Sequence, residues 1–241
     1  LKIKALLFDA EGTLFHIHPT VGAVYAKSLR GLGIKVDPEI LEDRFRQAWR
    51  KGRLKLRANP SPQRCQRIWR QIFSQTVAGL IPPDLLEPAF RLAYQAFGRR
   101  EAFRLAAGAR RALSWLKEEK ILLAIVSNWD GRLRELLVDF GLHDYFEAIV
   151  LACEAKVAKP DPRILKVALN RLGVTPQQAV LIGNDPEEDL PAAKSLGMPA
   201  VLYRQQMDLF TLCRRLLSVK DLSHPGEEIF SAEGLSQKRK M

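Results

Sequence analysis

Four short stretches hold the residues best suited to chemistry, and each follows an apolar run. Phe8-Asp9-Ala10-Glu11-Gly12-Thr13 ends the run Ile3–Phe8, and Ser127-Asn128-Trp129-Asp130 follows Ile121–Val126. Ala158-Lys159-Pro160-Asp161-Pro162 comes after Ala148–Leu151, and Gly183-Asn184-Asp185-Pro186-Glu187-Glu188-Asp189 follows Ala179–Ile182. Together they offer a carboxylate, a hydroxyl, an ammonium and an acidic cluster. That set suits phosphoryl transfer. The carboxylate of Asp9 can attack phosphorus and form an acyl phosphate, splitting one hard displacement into two easier ones. A carboxylate and a phosphate repel each other, so a cation must bridge them, and Mg²⁺ prefers hard oxygen ligands such as Asp9 and the acids of the fourth stretch. Lys159 offers positive charge to the phosphoryl oxygens, while Ser127 and nearby backbone N–H groups offer hydrogen bonds. Gly12 lets the chain turn tightly beside the nucleophile.

Such residues act together only if the fold gathers them. The apolar runs, with a fifth at Ala200–Tyr203, suit strands buried on both faces. Between the later runs apolar residues step by three and four: Leu133, Leu136, Leu137 and Phe140 before Gly141, then Ile164, Leu165, Ala168, Leu169 and Leu172 before Gly173. Each pattern predicts a helix with a left-handed glycine after it. Strand alternating with helix from about residue 100 predicts right-handed βαβ units and a doubly wound parallel sheet, whose ligands collect outside the carboxyl ends of the strands.

Residues 16–97 break the alternation. They present no convincing strand, but several helical patterns divided by Asp37-Pro38, Asn59-Pro60-Ser61-Pro62 and Ile81-Pro82-Pro83. Leu41, Phe45, Ala48 and Trp49, with Ile68, Ile72 and Phe73, supply apolar faces. The expected organisation is an α/β core over residues 1–15 and 98–225, an all-helical insert at 16–97 and a polar tail at 226–241.

Composition narrows the classes. At 241 residues and 47% hydrophobic, the chain can bury a real core. Its longest aliphatic run, Ile121–Val126, is far short of a membrane span, and the opening Leu1-Lys2-Ile3-Lys4 is not expected to be a secretory leader. Cys65, Cys153 and Cys213 are odd in number and scattered, which argues against a disulfide framework and for a cytoplasmic home. Most of the net charge of +11 comes from Arg44 to Pro83, which holds ten Lys or Arg and no acid. Arg46, Arg50, Arg53 and Arg57 fall on one stripe if a helix continues through Gly52. A solvated face is the ordinary reading, and steering of anionic substrates the functional one. No zinc-finger or RNP signature supports nucleic acid as a partner. Nothing in the sequence specifies an oligomeric state.

The pattern Asp9-x-x-Gly12-Thr13-Leu14, then Ser127-Asn128, Lys159-Pro160 and Gly183-x-Asp185-x-x-x-Asp189, resembles the haloacid dehalogenase-like (HAD) hydrolase superfamily, and the insert resembles the helical cap of its first subfamily. The resemblance implies a Rossmannoid core and a Mg²⁺-dependent phosphatase acting on a small phosphate ester through an aspartyl-phosphate. It implies Asp9 as nucleophile, Glu11 as general acid and base, and Ser127, Asn128 and Lys159 as phosphate binders. Magnesium would be held by Asp9, the Glu11 backbone carbonyl, Asp189, and Asn184 or Asp185. Two departures matter. Glu11 stands where phosphatases of the superfamily usually carry aspartate, with one methylene more to place within hydrogen-bond reach. Asn184 aligns with a usual metal-binding aspartate, and an amide oxygen is the weaker ligand.

Ordinary readings stand beside each of these. Asp9 alone reads as a strand-end acid, and Asp185-Pro186-Glu187-Glu188 as a helix start with acids favoured by the dipole. Neither reading explains four such ends at once. His16 and His18 near the hinge, and Trp129, are expected to pack rather than react. Two rival functions remain: a metal-independent 2-haloacid dehalogenase, against which the acidic fourth stretch counts, and a HAD-like binding protein that has lost efficient turnover.

Overall fold

The structure, a computed structural model, describes residues 2–218. The tail expected at 226–241 lies outside them. The chain opens on β1 (Ala5–Phe8) and leaves through β2 (Phe15–Ile17). Four helices follow: α1 (Val21–Arg30), α2 (Pro38–Arg57), α3 (Pro62–Val77) and α4 (Leu86–Ala96). The chain returns through β3 (Phe103–Leu105) and then alternates. α5 (Ala109–Glu118) leads to β4 (Leu122–Ser127), and α6 (Arg132–Asp139) to β5 (Ala148–Leu151). The short α7 (Ala152–Ala155) and α8 (Arg163–Leu172) precede β6 (Ala179–Gly183). α9 (Asp189–Lys194), β7 (Ala200–Leu202) and α10 (Leu209–Ser218) complete the described chain.

The five expected runs form one parallel sheet in the order β5-β4-β1-β6-β7. Every residue of β1 is buried because the strand has a neighbour on each edge and helices over each face. Side chains alternate between the faces. Leu6, Phe8, Leu123, Ile125, Val180 and Ile182 pack on one side with apolar residues of α5, α6 and α10. Ala5, Leu7, Ala124, Val126, Ala179 and Leu181 face the other, against α8 and α9. This is the doubly wound arrangement expected, and β1 at its centre delivers Asp9 to the crevice where the winding changes direction.

Helices α1–α4 form the cap. Thr20, Asp37 and Ser61 accept the free N–H groups at the starts of α1, α2 and α3, with Pro38 and Pro62 opening the latter two. α2 does continue through Gly52, where a Cβ would lie 2.5 Å from Ile72 of α3, so the missing side chain is what lets the two helices close on each other. One feature of this region differs from the sequence reading. His16 and Ile17 belong to β2, which pairs antiparallel with β3 as a ribbon carrying the chain out of the core and back. Three residues per strand are too few to register as a period. Among the described residues, no helix is long and apolar enough to cross a membrane.

The cysteine expectation is corrected. Cys65 on α3 and Cys153 on α7 are 88 residues apart in sequence, yet their Cα atoms lie 6.4 Å apart and the sulfurs are bonded, while Cys213 is free and buried. Cap and core approach each other there, a proximity that spacing along the chain does not reveal. Closing so long a loop restricts the unfolded chain, and such bonds contribute about 2–4 kcal/mol. Thiol titration of the unfolded, unreduced protein should find Cys213 alone. A Cys65→Ser, Cys153→Ser variant should melt on the order of 5–15 °C lower. Three titratable thiols, or an unchanged Tm, would refute the link.

Candidate functional site

Asp9 follows β1 directly, and its backbone N–H donates to the Ile182 carbonyl of β6 at 2.9 Å, which fixes its place. Ser127 closes β4, and its hydroxyl donates to Asp9 Oδ1 at 3.2 Å. Lys159 lies in the loop between α7 and α8, only 1% exposed. Its ammonium donates to Asp9 Oδ1 and to Asp189 Oδ1, both at 2.6 Å. Residues 150 and 30 positions apart thus meet at one nitrogen.

Asn128 holds that lysine by its backbone. Its Oδ1 accepts from the Lys159 N–H at 2.8 Å, and its Nδ2 donates to the Lys159 carbonyl at 3.0 Å and to Glu188 at 2.6 Å. It therefore orients the loop rather than presenting a free amide to a ligand. Asp189 is likewise engaged at both oxygens, with Oδ2 accepting the Asp185 N–H at 2.9 Å. The Asp185 carboxylate accepts from the N–H groups of Glu187 and Glu188 at 2.7 and 3.1 Å, the helix-start role that its sequence context suggested. Asn184, by contrast, faces the nucleophile. One terminal atom of its amide lies 3.2 Å from Asp9 Oδ2, 3.1 Å from the Glu11 carbonyl oxygen and 3.2 Å from the Thr13 hydroxyl. Gly12, at φ +86°, makes this contact possible, since a Cβ there would fall 2.2 Å from the Asn184 amide.

Burial raises the pKa of both acids of the first stretch. Burial raises the Asp9 pKa to about 6 against the pull of the Lys159 charge, so the group is anionic at neutral pH. Lys159 stays protonated despite its burial, because two carboxylates face it. Burial, with the charge of Asp9 beside it, raises Glu11 to about 7, the range in which a carboxyl can both give and take a proton.

All eight expected site residues line a single cavity of about 290 Å³ between cap and core. The sequence reading missed what covers them. Arg53 and Arg57 of α2 reach down to Glu187 and Glu188 at the fourth strand end, so half of the basic stripe bridges cap to core rather than facing solvent. Asp130 binds Arg132 through both carboxylate oxygens, each at 2.8 Å, and accepts from the Tyr94 hydroxyl at 3.0 Å, tying α4 to the second strand end. An aspartate just before a helix was the available signal; its partner on α4 had none. Trp129 packs on Phe15 and Phe103 as expected and also lines the cavity. His16 stacks on Tyr203 away from the cavity, and its Nε2 has no hydrogen-bond partner.

Comparison with known proteins agrees with this arrangement. Residues 3–197 match the family described as haloacid dehalogenase-like hydrolase. The chain is 32% identical over 207 residues to haloacid dehalogenase-like hydrolase domain-containing protein 3 of Xenopus laevis, covering 84% of each. Among solved structures it is similar to a HAD phosphatase from Thermococcus onnurineus, with TM-score 0.60 and 28% identity over 86% of this chain and 88% of that one. It is also similar to the L-2-haloacid dehalogenase from Xanthobacter autotrophicus with chloropropionic acid covalently bound, with TM-score 0.65 and 26% identity over 90% and 84% of the two chains. A carboxylate-centred cleft under a helical cap, met in a chain so matched, is that of a hydrolytic enzyme, and the chain belongs to the haloacid dehalogenase-like hydrolase family.

Proposed function

We propose that the chain is a Mg²⁺-dependent phosphatase of small phosphate monoesters, with residues 16–97 as cap and Asp9 as nucleophile. The reading is carried by one observation: Asp9 is held at Oδ1 by a buried ammonium and a hydroxyl, while Oδ2 faces the Asn184 amide, which also meets the Glu11 backbone carbonyl.

Those groups test the fit of a cation. Among the described residues no three His, Cys, Asp or Glu side chains cluster as a metal site. A mixed set does converge on Asn184, whose facing amide atom lies 3.2 Å from Asp9 Oδ2 and 3.1 Å from the Glu11 carbonyl oxygen. With the amide nitrogen turned inward, Asn184 donates to its neighbours; with the oxygen inward, it would add a hard oxygen to those of Asp9 and Glu11, the donor type Mg²⁺ prefers. Asp9, Glu11 through its carbonyl, and Asn184 would then hold the ion, with Asp185 and Asp189 shaping the loop around it. When bound, Mg²⁺ would offset the repulsion between the Asp9 carboxylate and the phosphoryl oxygens.

The chain's own residues carry the steps. A carboxylate oxygen of Asp9 attacks phosphorus, the ester P–O bond breaks, and Glu11 gives its proton to the departing alcohol oxygen. Lys159 and Ser127 keep Asp9 ionised and aimed, and meet the charge on the phosphoryl oxygens. Glu11, now ionised, takes a proton from water, whose oxygen attacks the acyl phosphate. The Asp9–phosphorus bond breaks, releasing inorganic phosphate. The closed cap keeps bulk water out during the first step.

A metal-independent dehalogenase has one observation in its favour, the likeness to the haloacid dehalogenase structure. Against it stand the carboxylates of the fourth stretch, Asp185, Glu188 and Asp189, which line the same cavity and would repel a carboxylate substrate. A binding protein without turnover would have the same cleft. The cytoplasmic home expected from free cysteines loses that support once Cys65 and Cys153 are joined, and location forms no part of the proposal.

A phosphate-ester panel that includes acetyl phosphate decides among the three. Turnover should stop with EDTA, return with Mg²⁺, and be absent in Asp9→Asn; a phosphoryl mass adduct on the Asp9 peptide should appear on acid quenching. Metal-independent halide release from 2-haloacids would favour the dehalogenase, and beryllofluoride binding without any hydrolysis the binding protein. Glu11→Gln should lower turnover by about 10²–10⁴-fold and let the phosphoenzyme accumulate on activated aryl esters. Unchanged turnover would remove Glu11 from the mechanism.

A further inference from the structure

The cavity over Asp9 has two unlike ends. Its floor is charged, with Asp9, Glu11, Lys159, Glu188 and Asp189. Its cap side is aromatic: Phe45, Trp49, Trp69, Phe90 and Tyr94 line it, with Trp129 from the core. Phe45 stacks on Trp49 at 6.0 Å between ring centroids, and Trp49 on Trp69 at 5.3 Å with only 14° between the planes. α2 and α3 thus present a contiguous aromatic wall of stacked rings.

The charge on this aromatic side is already engaged. Arg132 donates twice to Asp130, donates to the Tyr94 carbonyl at 3.1 Å, and lies 3.7 Å from the Tyr94 ring centre. Arg53 and Arg57 pair with Glu187 and Glu188. The one buried side-chain donor without a partner among these groups is Arg57 Nε. It belongs to the charged end, where Glu188 links it through Asn128 to the Lys159 backbone. Each guanidinium there already has a carboxylate partner, which a second phosphate or carboxylate would have to displace. Against the faces and edges of these rings, the hydroxyls of a sugar or polyol phosphate would lose water without gaining partners.

We propose that the substrates are phosphate monoesters whose leaving group is one flat, uncharged, aromatic-sized group, received by the wall of Trp49, Trp69 and Phe45. The inference rests on the phosphatase reading above and names its substrate class. Size agrees. A dry cavity of about 150 Å³ holds a benzene molecule, and the ~290 Å³ here leaves room for one such ring with the phosphoryl group beneath it. Face and edge contacts of the ring with three indole or phenyl groups supply the binding. In turnover the ester oxygen leaves with the ring-bearing alcohol, protonated by Glu11, while the phosphoryl group passes to Asp9.

Benzyl phosphate and glycerol 1-phosphate both release a primary alcohol, so their ratio of kcat/KM reads the pocket rather than the chemistry. The wild-type enzyme with Mg²⁺ should prefer benzyl phosphate by at least about tenfold, equivalent to 1.4 kcal/mol. Trp69→Ala should reduce that ratio severalfold, mostly through KM. A ratio near one, or a preference for glycerol 1-phosphate, overturns the inference and leaves the phosphatase reading intact; both are read on the wild type, whatever the fate of the variant. If no ester, acetyl phosphate included, is hydrolysed, the phosphatase reading falls instead. Calorimetric titration with the inert benzylphosphonate and methylphosphonate then decides the pocket. Benzylphosphonate about tenfold tighter sustains the aromatic ligand class, and equal affinities reject it.

Discussion

A buried ammonium between two carboxylates organises this molecule. Lys159 is sealed from water with Asp9 and Asp189 each 2.6 Å from its nitrogen. Moving such ions out of water costs on the order of several kcal/mol each, recovered only when geometry is good and the remaining donors and acceptors are satisfied. Much of the surrounding structure meets that condition. Ser127 donates to Asp9, the Asp185 N–H caps the second oxygen of Asp189, and Asn128 grips the lysine backbone from both sides. The trio carries one excess formal negative charge, which suits the cation of the proposed mechanism.

The parallel sheet is the means by which this constraint is met. β1, β4 and β6 lie side by side, so the residues that follow them emerge at one edge within a few ångströms of one another. Lys159 arrives from a loop rather than a strand end, which is why Asn128 must fix it. The polar network is thereby built on rigid elements below, while the cap above contributes apolar surface and two guanidinium groups that hold it down. The proposed function divides along the same layers: the core would carry the charge that acts on phosphorus, and the cap the shape that chooses what is attached to it.

That division also governs what was legible. The fold class followed from apolar runs of strand length alternating with helical periods, patterns that burial on two faces imposes locally. The candidate site followed because ligands of a parallel sheet gather at known ends of its strands, so Asp9, Ser127, Lys159 and the cluster after Gly183 could be placed together from chain order alone. Individual duties were less visible. Asn128 and Asp189 carry donor and acceptor atoms suited to a ligand, yet they are engaged by Lys159 and by the backbone. The sequence left Asn184 and Asp185 both open as the partner of Asp9, and Asn184 is the one that faces it.

The sequence by itself determined the alternating scaffold, the helical insert and the chemical types at each strand end, because these depend on periods and neighbours within one segment. Only the tertiary structure decided which side chains share an atom: Cys65 with Cys153, Arg57 with Glu188, Tyr94 with Asp130, Trp49 against Trp69. Each of these pairs joins separate helices or cap to core. Their meeting is set by how helices pack and where the cap comes to rest, and packing of that kind leaves no periodic trace along the chain.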